Sequence, residues 1–158
     1  MKYKLLKKPF WNYKNIFFII LATSWCSGLS FFILDNLFTI TGEFGPEKHP
    51  WQYPIIKIHS AAAFLMMISY GFFLGAHAKK NWKLNPKLIS GIIVSIMPFL
   101  LAISGYLLYY IASDLSRSII GYIHFAIGFT LPLILVIHII NVVKKKNVKK
   151  VRRFSHEN

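Results

Sequence analysis

Residues 121–140 read GYIHFAIGFTLPLILVIHII. The run has no charged residue. At 1.5 Å of helical rise per residue it is long enough to cross the ~30 Å hydrocarbon core of a bilayer. Two histidines interrupt it, His124 and His138. Fourteen residues at about 100° each put both on nearly one face, ~40° apart in angle and ~21 Å apart along the axis. An ionisable side chain inside a membrane is costly and points to function. An earlier apolar run, 53–78, holds a second pair, His59 and His77.

The chain has 158 residues, 55% of them hydrophobic, with 19 Lys and Arg against five acids and a formal charge of +14. Such a balance suits a nucleic-acid binder or a membrane protein with basic loops. A nucleic-acid binder spreads Lys and Arg along folded faces. Here they lie in short clusters between long apolar runs, which excludes nucleic acid and makes the lipid bilayer the partner. Cys26 is the single cysteine, so no intrachain disulfide forms, and its place in an apolar run predicts a small buried hydrophobe.

Four spans are expected, at 16–34, 53–78, 88–112 and 118–143, between a basic N-terminus (1–15) and a basic tail (144–158). No small-x-small cleavage site follows a short apolar region, so 16–34 reads as an uncleaved helix rather than a signal peptide. Ser24, Ser27, Gly28 and Ser30 give it small positions where a helix or flat ligand can approach closely. Residues 35–52 form the longest loop, with Gly42, Gly45, Pro46 and Pro50 as breakers. A short basic turn occupies 79–87, and Pro98 lies inside the third span. All of the Lys and Arg residues except Lys48, Lys57 and Arg117 fall at the two ends or in the 79–87 turn. The positive-inside rule then puts both termini in the cytoplasm and agrees with four spans. The expected fold class is all-α, a polytopic membrane four-helix bundle. The tail serves as a topology determinant in contact with anionic head groups.

With that topology the second and fourth helices run in the same direction. His59 and His124 lie toward the outer side, His77 and His138 toward the cytoplasm. Haem iron takes two axial ligands on opposite faces, and neutral imidazole suits it. Two facing helices with a histidine each can hold a haem, and two such pairs hold two. Ala63, one turn beyond His59, and Gly128, one turn beyond His124, leave room for a macrocycle edge. Gly91 and Gly105 are again 14 apart on the third helix, and its antiparallel direction brings Gly105 to the outer level and Gly91 to the inner one. The 18 residues from His59 to His77 span ~27 Å against ~21 Å for the fourth helix, so one haem stays open beside two. A methionine ligand, Met66 or Met67, is a lesser alternative. Propionates prefer cations near the surface, which makes Lys57, Arg117, Lys79 and Lys80 their candidate partners. His49 and His156 read as solvated. The bland alternative for the four membrane histidines is hydrogen bonding across helices or a proton path.

At these residues the chain resembles the four-helix b-type cytochromes: the cytochrome b-561 superfamily and the cytochrome b subunits of membrane hydrogenases and formate dehydrogenases. His124 and His138 are similar to the pair that serves both haems in the hydrogenase and formate dehydrogenase group. There the first helix supplies an opposing ligand. Here it holds no histidine, and two ligands from the second helix, as in the respiratory cytochrome b core, fill the gap. The resemblance implies haem b and electron transfer between a quinone and a periplasmic or membrane redox protein, in a bacterial cytoplasmic (inner) membrane. It also implies an electron-transfer subunit of an oxidoreductase complex rather than a stand-alone enzyme. The rival expectation is a small non-redox membrane protein, a transporter component or assembly factor with structural or proton-relay histidines.

Overall fold

A computed structural model describes residues 10–75 and 89–154. In chain order they form α1 (Phe10–Leu37), a hairpin of β1 (Thr39–Gly42) and β2 (Gly45–Lys48), α2 (Gln52–Phe73), α3 (Ile89–Tyr110) and α4 (Asp114–Phe154). All four helices are long and apolar enough to cross a membrane, over Tyr13–Leu37, Gln52–Phe73, Ile89–Tyr110 and Asp114–Lys145. The chain is mainly α-helical and of multi-pass membrane type. It divides into two compact units, one ending at Phe72 and the other beginning at Phe73.

In the first unit α1 and α2 run antiparallel. Gln52, at the start of α2, meets the end of α1, where its Nε2 donates to the Leu34 carbonyl at 3.3 Å. At the other end Tyr13 stacks on Phe72, with ring centroids 5.4 Å apart. The Gln52 bond matters because the last four carbonyls of a helix have no partner within it, and Leu34 is one of these. His49 starts α2: its Nδ1 accepts the Trp51 N–H at 3.2 Å and its carbonyl accepts the Gln52 N–H at 2.9 Å. It is therefore a half-buried helix cap and not a freely solvated side chain. Pro54 falls in the first turn of α2, where its missing N–H costs nothing.

The stretch expected as a loop, 35–52, contains the hairpin. Thr39 pairs with Lys48 and Gly42 with Gly45 across a two-residue turn, Glu43-Phe44. Gly45 has φ +121°, a conformation that side chains disfavour. The glycines taken as breakers are thus the corner of a small antiparallel ribbon.

In the second unit α3 and α4 pack antiparallel without a slip in register. Leu108 lies at Gly121, Ser104 at His124, Leu101 at Gly128 and Ser90 at His138. The fourth helix begins at Asp114, four residues before the expected 118, and continues to Phe154 rather than ending at 143. Ser113 and Asp114 explain the earlier start: the Ser113 carbonyl accepts the Arg117 N–H, and an acid in the first turn suits the helix dipole. No Gly or Pro follows Pro132 up to Phe154, and Lys and Arg are good helix formers, so nothing stops the helix at the membrane edge. Likewise α1 is longer than 16–34 at both ends.

Large apolar side chains stay exposed along the helices, Ile19, Phe64, Phe99 and Leu133 among them. With lipid as solvent such an exterior needs no partner. Polar groups in the helices are satisfied locally. Thr23, Ser30, Ser95 and Thr130 each donate to the carbonyl four residues back. Among the described residues no buried side-chain N or O lacks a hydrogen bond. Cys26 is exposed, contrary to the expected buried hydrophobe.

Candidate functional site

His59 projects from α2 onto the small residues of α1. Its Nδ1 lies 2.9 Å from the Ser24 carbonyl oxygen and 3.3 Å from Ser27 Oγ. A carbonyl can only accept, so Nδ1 carries the proton and donates. Ser27 spends its one hydroxyl hydrogen on the Thr23 carbonyl at 2.6 Å, which leaves its oxygen as a second acceptor for the same N–H. In a neutral ring this assigns the lone pair to Nε2.

A second serine meets an imidazole on α4. His124 Nδ1 lies 2.8 Å from Ser104 Oγ of α3, and the Leu100 carbonyl lies 2.8 Å from the same hydroxyl. A hydroxyl both donates and accepts, so its one hydrogen goes either to the carbonyl or to the ring. Ser104 is among the few buried polar residues, at 7% exposure. Nearly four turns earlier in α3, Ser90 Oγ meets His138 Nδ1 at 3.2 Å. The 14-residue interval between the α4 histidines is thus matched by the interval between their serine partners.

The glycines act at the same places. A Cβ at Gly28 would lie 2.8 Å from His59 Cε1, closer than real side chains come, and 3.1 Å from Nδ1. Only glycine lets the ring settle there. A Cβ at Gly105 would lie 3.4 Å from His124 Cε1, so the approach that Gly105 permits is to the imidazole. Gly105 is at the level of His124, as the antiparallel direction requires. Gly91 adjoins Ser90, the partner of His138, and its carbonyl accepts from Ser95. Gly128 faces Leu101 of α3 in ordinary contact, 3.6 Å from where its Cβ would be. Ala63 is half-buried on the His59 face of α2, and Met66 beside it is buried.

The cation candidates separate. Lys57 stands two residues before His59 and hence on nearly the opposite face of α2, where its Nζ lies over the Tyr53 ring at 4.1 Å. Arg117 is exposed in the first turn of α4, two turns before His124 and on the same face. His77, Lys79, Lys80 and His156 lie outside the described residues.

Sequence reasoning picked out Ser27 and Gly28 as small positions and missed Ser90 and Ser104. Their signal was present: each directly precedes one of the two glycines set 14 residues apart on α3.

No protein-family model, curated protein or solved structure matches this chain. Among the described residues no group of three His, Cys, Asp or Glu comes together to hold a bare ion. An axial haem ligand makes a smaller demand: one neutral imidazole with its lone pair on Nε2 and its other nitrogen bonded. His59 fits that demand by its tautomer, and Gly28 gives its ring room against α1.

Proposed function

We propose that this chain is a multi-pass b-type cytochrome, an electron-transfer protein whose membrane histidines His59, His77, His124 and His138 are axial ligands of haem b. The observation that carries the reading is the tautomer of His59, which donates from Nδ1 to the Ser24 carbonyl of the neighbouring helix and so keeps its lone pair on Nε2. An Nδ1–H bond of this kind orients a ligating imidazole and raises its basicity. The 14-residue interval on α4, similar to that of the hydrogenase and formate dehydrogenase cytochrome b subunits, supports the same reading.

Bound haem supplies a one-electron iron couple. The chain's own residues hold His59 in one tautomer and surround the histidines with apolar helix faces. The basic clusters set both termini in the cytoplasm. A quinone at one face and a redox protein at the other are the partners, in a bacterial cytoplasmic membrane.

A non-redox membrane protein would also use Ser–His bonds to tie helices together, and the purified protein decides between the two. A reduced-minus-oxidised spectrum with a pyridine haemochrome assay should show b-type bands at two haems per chain. A colourless protein sinks the proposal. Where one haem is found, changing each histidine in turn identifies its ligands.

A further inference from the structure

Three Ser-Gly dipeptides occur in the chain, Ser27-Gly28, Ser90-Gly91 and Ser104-Gly105. In each the serine hydroxyl lies at the Nδ1 of a different membrane histidine, His59, His138 and His124. In two of them the following glycine lies against Cε1 of the same ring, the atom bonded to Nδ1. Adjacent helical positions are about 100° apart, so the dipeptide offers an acceptor to one edge of an imidazole and an open backbone to the atom beside it.

We propose that the three Ser-Gly dipeptides are histidine seats, in which the serine oxygen accepts the Nδ1–H of the ring and the glycine offers it open backbone, so that α1 and α3 position the histidines of α2 and α4. Both units follow one plan, a seat helix followed by a histidine helix: α1 before α2, and α3 before α4. Only what Nε2 binds rests on the haem reading; the seat itself does not.

The serine suits this role because a helix offers its hydrogen another acceptor. The carbonyl four residues earlier lies 2.6 Å from Ser27 Oγ and 2.8 Å from Ser104 Oγ. With its single hydrogen placed there, the oxygen accepts from the ring. Alanine would keep the helix and the space and delete only the acceptor. The two seats differ in one respect. His59 also bonds the Ser24 carbonyl, a backbone group that substitution at Ser27 leaves in place.

The test uses the full-length chain in micelles, made without haem and carrying ¹⁵N-labelled histidine, and reads the tautomer from the ring nitrogen shifts. His59, His124 and His138 should all show a protonated Nδ1. In Ser104→Ala the His124 signal should leave the Nδ1–H position while His59 keeps it. Ser104→Thr, which retains the hydroxyl, should restore it. Ser27→Ala should leave His59 as Nδ1–H through the Ser24 carbonyl. An Nε2–H His124 in the parent chain, or a His124 signal unmoved by Ser104→Ala, would overturn the proposal. The haem reading fails separately. A colourless parent with an Nδ1–H His124 removes the haem and leaves the seats, and a haem protein whose His124 ignores Ser104 does the reverse.

Discussion

Gly28 and His59 touch so closely that a Cβ on the glycine would stand 2.8 Å from the imidazole Cε1. The ring cannot simply swing aside, because its Nδ1 is held by the Ser24 carbonyl at 2.9 Å. Gly28→Ala sets two effects in opposition. Alanine in a helix gains about 1 kcal/mol over glycine, whereas overpacking costs ~1–3 kcal/mol. At 2.8 Å the clash wins, and thermal unfolding in detergent should show a net loss on the order of 1 kcal/mol. An unchanged or raised midpoint would mean that His59 is not seated on α1.

Gly128→Ala should behave oppositely. Its Cβ would meet Leu101 Cδ2 at 3.6 Å, an ordinary contact. The propensity gain of about 1 kcal/mol is then unopposed, and the same melt should be unchanged or slightly higher. Gly105→Ala, at 3.4 Å from His124, should lie between the two.

On the proposed haem reading, Ser104→Ala has a redox consequence. Loss of an Nδ1–H acceptor would weaken the electron donation of a ligating His124 to iron, and ferric haem relies on that donation more than ferrous haem does. The midpoint potential should therefore rise, and haem should be held about tenfold more weakly. Spectroelectrochemical titration beside a haem-retention assay measures both.

Gln52 is buried at 6% exposure and ties α2 to the open carbonyl end of α1 through Leu34. Gln52→Ala should cost about 1 kcal/mol, the net value of one such bond. Gln52→Leu should not recover it, because the Leu34 carbonyl loses the same donor. Chemical or thermal unfolding in micelles reads the loss.

At the hairpin corner, Gly45 has φ +121° and open space where a side chain would go. Gly45→Ala therefore meets no clash and is penalised by its backbone alone, by ~1 kcal/mol or more. Phe44 beside it is 94% exposed, so Phe44→Ser should leave stability unchanged. Amide hydrogen exchange in the 39–48 segment distinguishes the two variants.

The helices were legible because each apolar run is long, lacks charge in its middle and stands between basic or glycine-rich breaks. Their ends were less so. At α4 the apolar pattern stops at Val143 while the helix continues to Phe154, since hydropathy marks the lipid boundary and backbone propensity marks the helix boundary. The hairpin was read as a loop because a four-residue ribbon closed by Gly42 and Gly45 has no room to show the two-residue alternation that signals strands.

At the histidines the division is finer. The sequence by itself determined that His124 and His138 share a face and that Gly91 and Gly105 repeat their interval, since helical angle and rise follow from residue number alone. The direction in which each ring turns was settled only by tertiary structure. His59 could have bonded anywhere along α1, and it meets Ser24, Ser27 and Gly28 because α2 packs antiparallel to α1 in the register that brings Gln52 to Leu34. Ser90 and Ser104 gain their role from the matching register of α3 on α4. A serine on an apolar helix carries no mark of what lies opposite. Only packing in register brings an imidazole to its oxygen.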